Sequence, residues 1–252
     1  MLTITFKKLM SLLAACLVPL ATQAAEVSVA VAANFTAPMK VIAQDFERET
    51  GHKATLAFGA TGQFYAQIKN GAPFAILLAA DDATPAKIES EGFGVAGTRF
   101  TYATGKLVLW SKRANLVDNR GDILRSGKFD KIAIANPKLA PYGAATMEVV
   151  EKMGLTSAIT PKIVEGSNIG QTFQFVSSEN ASIGFVALSQ VFEGGRIKEG
   201  SGWIVPSNMH KPIQQDAIVL NAGKNNAAAQ ALMQYLRSDK AKAVIRSFGY
   251  EL

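Results

Sequence analysis

From Val27 onward, short β-branched runs alternate with stretches of helical period. That alternation constrains the fold more than any other feature of the chain. Val27-Ser28-Val29-Ala30-Val31 is the first run. Thr36 to Phe46 follows, with Met39, Ile42, Ala43 and Phe46 near helical spacing, Thr36 placed to cap it and Pro38 in its first turn. Gly51 stops that helix and Lys53 to Phe58 reads as a second strand. Gly59-Ala60-Thr61-Gly62 is a tight loop before the helical stretch Gln63 to Asn70, and Phe74 to Ala79 is a third apolar run before a helix over Asp82 to Glu91. Strands interleaved with helices in this way argue for a mainly parallel sheet covered by helices.

The second half repeats the theme. Tyr102 to Ser111 is one long strand-like run. Lys131 to Ala135, Lys162 to Glu165, Ala181 to Ala187 and Ala217 to Leu220 read as further strands. Helical stretches cover Ala144 to Met153, Gln171 to Ser177, Asn226 to Arg237 and Asp239 to Phe248. Two similar α/β lobes are the reading; that the chain crosses between them twice, near Thr104 and Gln215, is what a family resemblance given below implies, since periodicity alone does not show it.

The first 25 residues have a different character. Lys7 and Lys8 precede the apolar stretch Leu9 to Leu20, and small residues Ala21-Thr22-Gln23-Ala24-Ala25 close it, which is the layout of a secretory signal peptide. The stretch is too short to span a bilayer, which takes roughly 20 residues as a helix. Leu13-Ala14-Ala15-Cys16 also matches a lipoprotein-type cleavage site, so a lipid anchor on Cys16 is the alternative. Removing residues 1–25 leaves 24 basic against 20 acidic side chains and no cysteine.

Function classes are excluded next. One cysteine and two histidines rule out a zinc or copper site built on those residue types. No G-x-x-x-x-G-K-[ST] loop, H-E-x-x-H pair or G-x-S-x-G elbow occurs, and no G-x-G-x-x-G follows a strand. His52 and His210 read as exposed loop residues, and Asp81-Asp82 as a helix-start cluster. What stands out is four strand-to-helix loops: Ala33-Asn34-Phe35-Thr36, Gly59-Ala60-Thr61-Gly62, Pro141-Tyr142-Gly143-Ala144 and Ser167-Asn168-Ile169-Gly170. A helix start offers free N–H groups and a positive dipole end, and such turns gather where α/β proteins bind ligands. None of the four carries a charged residue. Such a site supplies neutral donors only, which suits a dianion with every oxygen bare. Phosphate keeps a proton at neutral pH and needs an acceptor for it.

In this order, several motifs run through nearly the whole chain from Val27 to Leu252. They are Val31-Ala32-Ala33-Asn34-Phe35, Gly59-Ala60-Thr61-Gly62-Gln63, Gln67-Ile68-Lys69-Asn70-Gly71-Ala72-Pro73, Arg99 to Ser111, Asn136 to Gly143, and Ala181 to Ala187. They resemble the periplasmic molybdate-binding proteins of ABC transporters, a branch of the extracellular solute-binding proteins. The resemblance implies a two-lobed periplasmic-binding-protein fold of type II, each lobe a mainly parallel sheet flanked by helices. It places 26–104 and 217–252 in lobe 1 and 105–216 in lobe 2, with both final helices returning to the first. It implies a carrier and not an enzyme, a monomer without cofactor or nucleic-acid partner, exported to the periplasm and serving a membrane permease.

Carried over by position, the resemblance puts the ligand contacts at Asn34 with Ala33 backbone, at Thr61, at Tyr142 and at the N–H of Ile169. Molybdate or tungstate would be held by hydrogen bonds alone, with no residue coordinating the metal atom. Two departures from the family pattern occur. Ala187 stands where many members place a ligand tyrosine, and Tyr142 is expected to supply that phenol from the opposite side. Phe74-Ala75-Ile76-Leu77 stands where Asp-Val-Phe is common. The alternatives are the same fold holding sulfate, phosphate or an organic anion, or an enzyme or sensor domain.

Overall fold

The computed structural model describes residues 24–252, so the signal-peptide reading and Cys16 lie outside the described residues. The first lobe begins with β1 (Glu26–Ala32), α1 (Thr36–Thr50), β2 (Lys53–Gly59), α2 (Thr61–Lys69), β3 (Ile76–Leu78), α3 (Ala83–Ser90) and β4 (Phe100–Gly105). The second lobe runs through β5 (Leu107–Ser111), α4 (Ile123–Ser126), β6 (Ile132–Ala135), α5 (Pro141–Lys152), α6 (Thr156–Ile159), β7 (Ile163–Gly166), α7 (Ile169–Ser177) and β8 (Ile183–Ala187). It closes with the small hairpin β9 (Phe192–Glu193) and β10 (Arg196–Ile197), then β11 (Ser201–Ile204). The chain returns through β12 (Ile213–Val219), α8 (Ala227–Tyr235) and α9 (Asp239–Ser247).

The two five-stranded sheets follow one plan. Their orders are β2-β1-β3-β12-β4 and β11-β5-β8-β6-β7. In each, four strands run one way and a single strand, β12 or β5, runs against them. Helices cover both faces, so central strands are apolar on both sides. Ile183 to Ala187 is buried at every position, and Val27, Val29, Ala30 and Val31 of β1 are fully enclosed. Each Val, Ile or Phe among them contributes about 1.5–3 kcal/mol on burial.

Three expectations need correction. The run Tyr102 to Ser111 is not one strand: Lys106 separates β4 from β5, which belong to different sheets. Burial on both sides of the crossing keeps the sequence apolar there, so composition does not mark the break. β12 begins at Ile213, so residues 213–216, expected in the second lobe, pair with β4 in the first sheet. Thr36 does not cap α1; Phe35 occupies that position, and the Thr36 hydroxyl donates to the Ala33 carbonyl at 2.8 Å.

The C-terminus returns to the first lobe. Thr104 and Glu251 exchange main-chain hydrogen bonds of 2.7 and 3.0 Å. Tyr250 and Tyr102 both meet the Phe35 ring edge-on, at 5.5 and 4.8 Å between centroids. This aromatic cluster fixes the turn after β1 against β4 and the chain end.

Candidate functional site

Four strand-to-helix turns face one another across the lobe boundary. Ala33–Phe35 forms a 3-10 turn between β1 and α1, Ala60 precedes α2, Ala140 precedes α5, and Asn168 precedes α7. The first N–H groups of such turns have no intrahelical partner, and each dipole end is positive. Gly143 lets α5 start hard against β6, because a Cβ there would lie 2.1 Å from the Ala135 carbonyl oxygen.

A small cavity of about 10 Å³ lies among the turns. Ala33, Asn34, Thr61, Tyr142 and Ile169 all line it, so the five residues expected to contact a ligand lie together. None of its eleven lining residues is charged. A wider, open cleft lined by Ser167, Asn168, Gly170 and Gln190 reaches the same Ala33-Asn34 turn and is also free of charged side chains.

The hydroxyl groups are oriented by their partners. Thr61 Oγ1 accepts the Ala80 N–H at 2.9 Å, and Tyr142 Oη accepts a Gln215 Nε2 proton at 3.2 Å. Each hydroxyl has one proton of its own. The Thr61 proton has no acceptor among the described residues and is free to donate into the cavity, and the Tyr142 proton has the neighbouring Tyr250 hydroxyl as its acceptor besides a ligand. Burial pushes the Tyr142 phenol well above its ordinary value, with the neighbouring Tyr250 next in effect, so it stays a neutral donor.

Asn34 behaves differently. Its side-chain amide donates to Gln215 Oε1 at 2.8 Å and to Tyr250 Oη at 2.9 Å. Its Oδ1 is buried without a partner. In this arrangement the N–H that Asn34 has to spare is on the main chain.

Hydrogen bonds close the lobes over the cavity. Gly62 N–H donates to the Leu139 carbonyl at 2.9 Å, and Ser189 Oγ donates to the Asn34 carbonyl at 2.8 Å. Tyr250 Oη lies 2.9 Å from that carbonyl and 3.0 Å from Ser189 Oγ. Gln215, Tyr102, Ser189 and Tyr250 are buried parts of this assembly that the sequence reading did not single out. Their signal is faint: Gln215-Asp216 is a polar pair leading into an apolar strand, and Tyr250 stands third from the end.

The other singled-out groups have structural roles. The Asp81 carboxylate accepts the Thr84 N–H at 2.7 Å and lies 3.2 Å from its hydroxyl, holding the start of α3. Burial raises its pKa, and the Thr84 bonds oppose that rise. His52 Nδ1 accepts the Ala25 N–H at 3.1 Å, and His210 lies 2.7 Å from the Lys211 carbonyl. Among the described residues no group of three or more His, Cys, Asp or Glu is placed to hold a metal ion. Ala187 is fully buried in the same apolar cluster as Tyr142.

The family described as bacterial extracellular solute-binding protein matches residues 27–251. The molybdate-binding protein ModA of Azotobacter vinelandii is 56% identical over 251 residues, covering 100% of both chains. ModA of Rhodobacter capsulatus is 48% identical over 229 residues, 90% of this chain and 88% of its own. The solved structure of an Azotobacter vinelandii periplasmic molybdate-binding protein superposes with a TM-score of 0.86 at 40% identity, covering 90% of this chain and 99% of that one.

Proposed function

Because the chain belongs to the bacterial extracellular solute-binding proteins, we propose that it captures molybdate, and tungstate with it, between its lobes and presents the closed complex to an ABC-transporter permease. It works as a monomeric carrier in the periplasm, exported by the signal peptide of residues 1–25. The lobe boundary falls at Lys106 on the outward crossing and between Ile204 and Ile213 on the return.

One observation carries the reading: the cavity between four helix starts is lined without a charged residue, and both of its hydroxyls have their oxygen engaged by an N–H donor, which leaves each hydroxyl to act on a ligand as a donor. The Thr61 and Tyr142 hydroxyls, with the main-chain N–H groups of Ala33, Asn34, Thr61 and Ile169, form a set of neutral donors. Hydrogen bonds to a charged group contribute about 1.5–3 kcal/mol each, so six such bonds offset much of the cost of dehydrating a dianion. No carboxylate lines the cavity to accept the proton that phosphate retains. Sulfate is fully deprotonated but has shorter bonds than molybdate, so it meets the same donors at longer range. Binding draws the lobes together, because the ligand contacts turns from both and thereby shifts the open–closed equilibrium.

Calorimetric titration with molybdate, tungstate, sulfate and phosphate in parallel tests the proposal. Tight binding of the first two alone supports it. Sulfate or phosphate binding as tightly as molybdate overturns it.

A further inference from the structure

We infer that Gln215 sets the donor polarity of the oxyanion site, acting as a positioning residue that governs both Tyr142 and Asn34 without lining the cavity. The inference rests on the function proposed above and extends it to a residue behind the ligand contacts.

Gln215 is completely buried, in a strand where an apolar side chain would otherwise pack. It sits at an irregularity of the sheet: Gln215 pairs with Ala103 and Asp216 with Thr101, so Tyr102 falls out of register between them. Bulges of this kind re-aim side chains beside functional sites. Here the bulge brings the Tyr102 hydroxyl to 3.0 Å from Gln215 Oε1, with the Ala79 carbonyl 2.9 Å on its other side. Oε1 also accepts from Asn34 Nδ2, and Nε2 donates to Tyr142 Oη. The contact is sterically exacting. A Cβ on Gly105 would lie 2.1 Å from Tyr142 Oη and 2.5 Å from Gln215 Nε2.

The consequence is logical as much as geometric. An amide has a donor end and an acceptor end, and Gln215 turns one toward each of two ligand-site residues. With the acceptor end on Asn34 and the donor end on Tyr142, the Tyr142 proton turns away from Gln215, with the Tyr250 hydroxyl its neighbouring acceptor besides the ligand, and Asn34 Oδ1 is bare. Turning both amides over together swaps the roles: Asn34 then holds the free N–H and Tyr142 donates inward. Either way a side-chain donor remains for the ligand. A carboxylate at position 215 has two acceptor ends, takes the inward protons of both neighbours and leaves neither donor for the anion. A neutral carboxylic acid restores the amide pattern, with its O–H toward Tyr142 and its C=O toward Asn34.

The test is a pH profile of molybdate affinity for wild type, Gln215→Glu and Gln215→Met, with thermal unfolding followed in parallel. Burial raises a carboxyl pKa by several units, which brings protonation of the introduced carboxyl into the range of about pH 5.5 to 8.5. The groups facing that carboxyl are the phenols Tyr102 and Tyr142, with Tyr250 reached through Asn34. Along its strand stands Asp216, bound to Arg99 and Thr101. The wild type is expected to be flat across this range. The Gln215→Glu variant is expected to bind at least about 100-fold more weakly at the alkaline end, since each charge-assisted bond lost costs about 10- to 150-fold. Its affinity recovers toward the acid end. The Gln215→Met variant, which offers neither end, is expected to be about tenfold or more weaker at every pH. A Gln215→Glu variant with the flat profile and affinity of the wild type overturns the inference while leaving the function intact. A wild type that ignores molybdate overturns both. Should the Gln215→Glu variant not fold, the Gln215→Met variant decides, and unchanged affinity there overturns the inference.

Discussion

Removing a single oxygen gives the sharpest test of how the site holds its ligand. Tyr142→Phe deletes a hydroxyl whose side chain is only 1% exposed and whose one inward partner is Gln215 Nε2 at 3.2 Å. Two separable costs follow. In the complex, the anion loses a hydrogen bond to a charged acceptor, about 1.5–3 kcal/mol, which is roughly 10- to 150-fold in Kd. In free and bound protein alike, the Gln215 N–H loses its acceptor, about 1–3 kcal/mol of stability that cancels from the affinity. For a chain of this size that lowers Tm by roughly 2–12 °C. Calorimetric titration with molybdate reads the first cost and thermal unfolding without ligand reads the second. Because burial holds the phenol neutral, the affinity loss is the same at every pH below about 10. A Tyr142→Phe variant that binds molybdate within about twofold of wild type, far inside the expected loss, refutes the role given to Tyr142. With it falls the idea that this phenol replaces the one absent at Ala187.

Three further outcomes are expected. Thr61→Val keeps the shape but removes the free hydroxyl proton and the acceptor of the Ala80 N–H at 2.9 Å, so molybdate titration shows a loss of about tenfold or more. Gly105→Ala places a methyl 2.1 Å from Tyr142 Oη, forcing the phenol aside, and the same titration shows a loss approaching that of Tyr142→Phe. Tyr102, Tyr142 and Tyr250 all have pKa values raised above the ordinary 10.0, mainly by burial. The folded state therefore holds these protons after the unfolded chain has released them. Urea unfolding is expected to show no pH-dependent contribution from these groups below about pH 9 and a stability that falls as pH climbs through about 10; a stability that rises there contradicts the burial of these phenols.

The order of elements was legible because each strand and helix advertises itself locally. Val27 to Val31 and Ala181 to Ala187 are too β-branched and apolar for anything but buried strands, and Gly51 and Gly154 mark their helix ends at positive φ. The four strand-to-helix turns were legible for a related reason: a helix start without charge is visible in one short segment. What was not legible depends on partners far apart in the chain. The break at Lys106 lies inside an apolar run that is buried on both sides. The strand β11 carries Gly202 in a four-residue segment and pairs only with β5, so its own pattern is weak. Gln215 reads as a polar residue at a crossing, and only the fold brings it to Asn34, 181 positions away, and to Tyr142, 73 positions away. The direction of the Asn34 amide is likewise a property of that network. A sequence shows that an amide is present but not which of its ends is spent.

The central claim is that neutral donors from both lobes hold a bare dianion, and the molybdenum position in a crystal of the complex tests it most directly. Anomalous scattering is expected to place the metal in the cavity among Ala33, Asn34, Thr61, Tyr142 and Ile169, its oxygens within hydrogen-bond distance of main-chain N–H groups and the two hydroxyls. Molybdenum located elsewhere, or a lysine, arginine or carboxylate in contact with its oxygens, contradicts the account.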